Sequence, residues 1–580
     1  MGTRGVVSSG HYLATAAGSR IMQMGGNAVD AAAAMSFCLN LVEPHQNGIG
    51  GEVPVLFYST EERKTYAISG QGWSPEALTI DWCRENRIDM IPGDGFIPAC
   101  VPATVGTWAL ALKRFGTMSF SEILAPAIEL ASNGFSVYPA LRDFIMLHAE
   151  RFRKIYPSTA ECCVPGGKIP QVGEVLRNPH YADVLKTLCE AEENAPKNGR
   201  DAGIDAACDA FYKGNIAKKI IEYITENPVE DASGREHRGL LIRDDFAEWE
   251  ARIEEPVSIN YKGLDVHKCS SWTQGPVFLQ QLALLKGFDG ESSDYLHVRI
   301  ECAKLAFADR EAYYGDPLFD DVPLDTLLSE EYSAERRKLI GENASMELRP
   351  GDMDDGAPEY ATFDVLEDNR RALGISSESE SGGVAGEPRD TTQLVAIDSD
   401  GNMVSATPSG GWLHSSPIIP GLGFPLGTRA QMFYLNPDRP NALEPRKRPR
   451  TTLTPTLVTR DGRPYLAFGT PGGDAQDQWT LQFFLNYVEP GMDLATALDS
   501  PHWKIEHMPL SFYPRTAYPG RVTVDRRFSA EIISELKERG HEVVQAEMPI
   551  RMMAALIDGD KGSMSAGVCT SSATGYAIAL

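Results

Sequence analysis

The sequence predicts a layered α/β fold, on three observations. A helical run, a glycine loop and an apolar strand follow one another between Leu13 and Tyr58. Helical periodicity then dominates from about Pro102 to Ala312, and beyond Asp390 the pattern turns to short β-branched runs separated by Asp-Gly turns. With 580 residues, 42% hydrophobic and 23% charged, the chain has a globular composition and ample length for a large core. A domain size of about 150 residues would allow three or four domains, and one large layered domain fits equally.

Taken in order, Ala14, Ala17, Ile21, Met22 and Met24 recur at helical spacing and stop at Gly25-Gly26. Asn27 is a good N-cap for a second, alanine-rich helix from Ala28 to Met35. Glu43 to Gly51 forms the glycine loop, and Val53–Tyr58 a strand. Thr107–Leu112, Phe120–Ala131 and Val277–Leu285 read as helices, whereas the polar stretch Ala191–Ala206 reads as an exposed insertion loop. Gly351–Asp390 contains little that could bury, and its Ser/Gly/Glu-rich tail, Ile375–Asp390, is expected to be flexible. Thr391–Asp398 and Met403–Thr407 form a hairpin across Ser399-Asp400-Gly401-Asn402. Pro455–Arg460 and Pro464–Phe468 form a second pair, and Gly469–Asp474 opens a helix near Gln476.

Charge narrows the function. Against 80 Asp+Glu stand 54 Lys+Arg, a net −26 with no long basic stretch, which disfavours nucleic acid as a partner. The longest stretch without formal charge, Gly401–Thr428, is crowded with Gly and Pro and cannot span a membrane. The first ten residues lack an apolar signal core, and ten scattered cysteines form no C-x-x-C pair, so free buried thiols and a cytoplasmic location are expected. No clustered His/Cys set suggests a metal, and the acidic run at Asp352–Asp355 reads as solvated loop.

An acidic tether that delivers the chain straight into a buried Thr-led strand is unusual, and one explanation is that the bond between Asp390 and Thr391 is cut. A hydroxyl is a weak nucleophile without a base beside it, and an N-terminal Thr carries its own in the freed α-amine. The Pro471-Gly472-Gly473 turn can offer backbone N–H donors to a tetrahedral intermediate, or be an ordinary strand-to-helix turn. A phosphate loop is disfavoured because no Lys-Ser/Thr follows.

Several motifs, in one order along the chain, resemble the γ-glutamyltransferase family of N-terminal nucleophile hydrolases. They are Gly25–Ala32, Glu43-Pro44-His45 with Gly48–Gly51, Ala308-Asp309-Arg310 with Tyr314–Pro317, Thr391-Thr392 with Asp400–Asn402, Ser405 and Thr407, Lys447-Arg448-Pro449, Thr454–Thr456 and Gly469–Gly473. The resemblance implies a four-layer αββα sandwich, one domain made from a precursor cut into a large fragment (1–390, with a flexible linker at about 351–390) and a small one (391–580) that stay associated. It implies Thr391 as nucleophile and base, Ser409 as the hydroxyl that holds its amine, and Gly472 and Gly473 as the oxyanion hole. Thr407 shares the strand face of Ser409 by period-two spacing. The reaction is expected to be ping-pong acyl transfer from a small amide to water or an amine, with no cofactor.

The specificity residues depart from that family. Gln71 holds the position of the arginine that clamps a γ-glutamyl α-carboxylate, and Phe433-Tyr434 follow Gln431-Met432 where an acid is expected. Thr451-Thr452 replace two serines, Gln393 stands where a His is common, and Gly411 where an Asn is common. Loss of two charge-assisted contacts, each worth about 1.5–3 kcal/mol, removes most of a glutamyl preference. The pattern looks more like the amidohydrolase and acylase branches. Arg429, Arg448 and Arg450 are candidates for a substrate carboxylate or for ion pairs, and Tyr434 and Trp412 for an acyl pocket or the core. His45 reads as a packed loop histidine or a base. True γ-glutamyl transfer or glutathione hydrolysis, and an uncut binding protein without activity, are the alternatives.

Overall fold

The computed structural model describes residues 1–195, 199–290, 294–353, 358, 360–361, 363 and 390–580. Two antiparallel sheets lie face to face between helical layers. The seven-stranded sheet runs Tyr576–Ala579, Gly5–Ser9, Leu394–Asp398, Met403–Ala406, Val55–Ser59, Lys64–Ser69 and Arg252–Glu254 from edge to edge. The six-stranded sheet runs Ser563–Val568, Met553–Asp558, Arg463–Gly469, Thr456–Arg460, Leu264–Lys268 and Val257–Tyr261. Strand alternation builds the layers. Val395, Ile397 and Met403 meet Leu457, Ala467, Met553 and Ala555 between the sheets. Leu394, Ala396, Val404 and Ala406 face the other way, against the helices Tyr12–Gln23 and Ala28–Val42. The second sheet's outer face, with Val458, Leu466 and Phe468, packs on the helices Pro276–Leu285 and Gln476–Val488. The αββα order expected from the sequence is therefore present.

The Ala28–Val42 helix explains how close the first layer comes. All of its residues are buried, its alanines allow close approach to the sheet, and Asn27 and Asp30 form a capping box at its start. The expected insertion loop at Ala191–Ala206 is corrected. The helix Pro179–Glu193 runs into that stretch and the helix Arg200–Tyr212 begins within it, because Ile204, Ala207 and Phe211 form a buried stripe. The segment after Gly351 also docks where it is described: Gly351 N donates to Asp309 Oδ1 at 2.8 Å, and Tyr360 Oη donates to the Ala312 carbonyl at 3.0 Å. The expected flexibility of Ile375–Asp390 concerns residues that, Asp390 apart, lie outside those described. Among the described residues no helix is long and apolar enough to cross a membrane, and the ten cysteines are free, seven of them buried.

Candidate active site

Thr391 lies three residues before a strand in the middle of the seven-stranded sheet, so the chain enters the layered core at this residue. It forms an isolated antiparallel bridge with Ser409, and Ser409 forms another with Glu52, whose N and O each bond Ser409 at 2.9 Å. The glycine loop makes this approach feasible. A Cβ on Gly51 would sit 2.1 Å from the Ser409 carbonyl oxygen, and one on Gly48 would sit 2.5 Å from that of Gly411. Side chains there would push the Ser409 strand away.

Two hydroxyls converge on one carbonyl. Thr391 Oγ1 and Ser409 Oγ lie 3.0 Å apart and donate to the Asp390 carbonyl oxygen at 2.7 and 2.8 Å. Thr391 itself is only 1% exposed. Arg429 Nη2 donates to Ser409 Oγ at 2.9 Å and its Nε to Glu52 Oε1 at 2.7 Å, while the guanidinium lies over the rings of Trp412 and Phe512 at 5.0 and 5.6 Å. Beneath the strand, Arg551 Nη2 donates to the Thr391 carbonyl at 3.1 Å and to Gln46 Oε1 at 2.5 Å, with Nη1 3.5 Å from Glu43 Oε1. Burial, followed by the nearby Arg551, His11 and His414, holds the His45 pKa well below the usual range. Its ring packs near Tyr138 and Phe144 at 6.0 and 5.4 Å, and neither ring nitrogen bonds a hydroxyl of this site.

The strand Arg463–Gly469 leads into the glycine turn, where Gly472 has φ 139° and Gly473 φ 53°, and the helix Gln476–Val488 follows. A Cβ on Gly473 would lie 3.2 Å from Phe512, the ring that also covers Arg429. Phe512 thus links the turn to the Thr391–Ser409 pair. The turn is held from behind by Asp474, which accepts from Ser511 N at 2.8 Å and pairs with Arg310.

Other expected site residues make their bonds outside the Thr391–Ser409 pair. Thr407 does not touch Thr391; its hydroxyl donates to Gln393 Oε1 at 2.7 Å. In the antiparallel register Thr391 faces Ser409, so the residue two positions earlier on that strand faces Gln393. Tyr434, a candidate for the acyl pocket or the core, is half-buried: its hydroxyl bonds Glu311 and its ring is held between Arg439 and Arg515, each 4.0 Å from the centroid. Arg450 pairs with Glu311 at 2.9 Å and donates to the Arg310 carbonyl at 3.0 Å, and Arg448 pairs with Asp316 and Glu254, each at 2.6 Å. Both are committed to ion pairs. Gln431 donates to Gly93 O at 3.0 Å and accepts from Tyr513 N at 3.1 Å, and buried Gln71 donates to Gly72 O at 3.1 Å. Thr451 is tied through its main chain to Trp272 and Gln274, each at 2.9 Å, whereas the buried Thr452 hydroxyl has no partner among the described residues. Sequence reasoning missed Glu52, Arg551 and Phe512. Glu52 carried a usable signal, since a carboxylate between a glycine loop and an apolar strand needs a buried partner.

Glu311 anchors Arg310, Arg439 and Arg450. Burial would raise its carboxyl, but Arg450, Arg310 and Arg439, helped by Tyr434, outweigh that and hold it down at about 2. The unfolded carboxyl takes up its proton near 4.5 and the folded one only near 2, so this stabilisation is complete above pH 4.5 and is lost as pH falls towards 2. Glu311→Gln is expected to cost about 3–5 kcal/mol at neutral pH and to flatten the acid limb of stability, as read by denaturant melts at several pH values. A variant with the wild-type acid limb would refute this. Among the described residues, His297, Glu301 and His541 bring three ligand-type atoms within 4.8 Å of one another. Glu301 is already paired with Lys304 at 2.7 Å and Arg349 at 2.9 Å, and the two imidazoles bond each other at 2.9 Å.

The family model described as Gamma-glutamyltranspeptidase matches residues 14–578. The chain is 32% identical to the glutathione hydrolase-like YwrD proenzyme of Bacillus subtilis, over 100% of this chain and 99% of that protein. Among solved structures it superposes on LmbA2991HD with TM-score 0.92 and 41% identity, covering 100% of this chain and 98% of that one. It superposes on a cephalosporin acylase from Bacillus halodurans with TM-score 0.82 and 28% identity, covering 100% and 96%.

Proposed function

The chain belongs to the γ-glutamyltranspeptidase family, and from that premise we propose that it cuts itself before Thr391 and then uses Thr391 to cleave a small, non-glutamyl amide. As a member it is an amidohydrolase or acyltransferase with the N-terminal nucleophile hydrolase fold. The observation that carries the finer reading is the convergence of the Thr391 and Ser409 hydroxyls on the Asp390 carbonyl. In the proposed maturation, Thr391 Oγ attacks the Asp390 carbonyl carbon, the C–N bond breaks, and the hydroxyl proton passes to the departing nitrogen. Water then hydrolyses the resulting ester, leaving an Asp390 carboxylate and a Thr391 with a free amine and a free hydroxyl. In turnover the amine serves as base, Thr391 Oγ takes the acyl group, Gly472 and Gly473 hold the oxyanion, and water or an acceptor amine releases the acid or a new amide. The two fragments, 1–390 and 391–580, remain associated because strands of both build each sheet. A cytoplasmic site of action belongs to the same proposal and rests on the ten free thiols.

The non-glutamyl preference is supported by Gln71 in the clamp position, by Tyr434 in its arginine sandwich, and by the ion pairs that occupy Arg448 and Arg450. The glutathione hydrolase-like relative favours glutathione hydrolysis as a second reading. A panel that compares neutral N-acyl amides with glutathione, with and without a dipeptide acceptor, separates them. At least about tenfold higher kcat/KM on the best neutral amide is expected from the missing charge-assisted contacts. Glutathione as the better substrate would overturn the preference and leave the family chemistry intact.

A further inference from the structure

Arg429 is 1% exposed and joins the glycine loop to the nucleophile's partner. It pairs with Glu52 and also donates to Ser409 Oγ at 2.9 Å. A guanidinium has donors and no acceptor, so the Ser409 oxygen must accept from it. Ser409 has a single proton to give and Arg429 cannot take it; of the two acceptors left, the Asp390 carbonyl oxygen at 2.8 Å is nearer than Thr391 Oγ1 at 3.0 Å, and Thr391 Oγ1 itself donates to that carbonyl. A neutral, two-way partner in place of Arg429 would let the hydroxyl turn around.

The surroundings fit a cation held for this purpose. Glu52 supplies the opposing charge, and the site leaves it little freedom: a Cβ on Gly410, whose φ is +70°, would sit 2.4 Å from Glu52 Oε2. Trp412 and Phe512 cover the guanidinium. With Glu52 and Ser409 as its partners, Arg429 is engaged on the protein side, which argues against a role as carboxylate clamp for substrate. We propose that Arg429, charge-matched by Glu52, is a positioning residue for self-cleavage, which fixes the Ser409 hydroxyl as a donor to the Asp390 carbonyl as negative charge develops there. This rests on the proposed cleavage before Thr391.

The test is the rate at which purified precursor is cut, followed by intact mass, together with thermal melting. Arg429→Gln and Glu52→Gln each leave a buried charge without its match, so both lower the melting temperature. Only Arg429→Gln replaces the obligate donor to Ser409 with a shorter amide that can also accept. Cleavage is therefore expected to slow at least about tenfold in Arg429→Gln and by a clearly smaller factor in Glu52→Gln, whose amide oxygen still accepts from Arg429. In the double variant, where the charges are again balanced, melting recovers while cleavage stays slow. Equal slowing in the two single variants, or a double variant that cleaves at the wild-type rate, would reduce the pair to a structural one and overturn the proposal. A wild-type chain that never cleaves would overturn the cleavage reading and this proposal with it, whereas a cleaving wild type matched by Arg429→Gln would overturn this proposal alone.

Discussion

Thr391→Ala is expected to leave one intact chain of 63.4 kDa with no amide turnover. The substitution removes the group that attacks in both reactions. Loss of an essential nucleophile typically costs about 10⁴-fold or more, so both activities fall to background. The fold tolerates the change. The Thr391 backbone keeps its bridge to Ser409 and the Arg551 contact to its carbonyl, and the lost hydroxyl bonds only cost about 1–3 kcal/mol in a buried setting. Thr391→Ser keeps the hydroxyl and is expected to retain both cleavage and turnover at reduced rates. Intact mass and an amide assay on the same preparations decide the matter: an alanine variant that is cut, or that turns over substrate, sinks the nucleophile assignment.

Much of this arrangement was legible in the sequence because the relevant signals are local. The alternation in Thr391–Asp398 and Met403–Thr407, the alanine-rich helix after Asn27 and the glycine loop each impose their own geometry, and the four layers follow from burying them together. The Thr391–Ser409 pairing was legible through motif order. What sequence could not show is which cations are already spoken for. Arg448, Arg450 and Arg429 look alike in one dimension, yet their partners, Asp316, Glu311 and Glu52, come from more than a hundred residues away. The surroundings of Tyr434 were hidden for the same reason, since the guanidinium of Arg515 that closes on its ring comes from a distant loop. The second half of the Ala191–Ala206 stretch was misread because its buried stripe is spaced through polar sequence, and the docking surface for Ile204 and Phe211 belongs to other helices.

The two reactions should come apart in Gly472→Ala, which is expected to cut itself normally and yet lose about 10²–10³-fold in kcat, the usual cost of an oxyanion donor. Position 472 has φ 139°, where an L-residue is strained, and its Cβ would lie 2.4 Å from Trp479 Cζ3 on the helix that follows. Either the turn or the indole must move, and a moved turn mis-aims its N–H groups. Maturation is expected to be spared because the Asp390 carbonyl takes its donors from Ser409 and Thr391 at 2.8 and 2.7 Å, on the opposite hairpin. Gly473→Ala makes the contrast sharper. Its φ of 53° is open to some L-residues and its Cβ would meet the Phe512 edge at 3.2 Å, so a loss of about tenfold is expected there. Gel analysis of fragment formation beside kcat and KM on the best amide reads both effects. If Gly472→Ala stays uncut while correctly folded, the turn serves maturation as well; if it matures and keeps wild-type kcat, the glycine turn is only a link from strand to helix and the oxyanion must be held elsewhere.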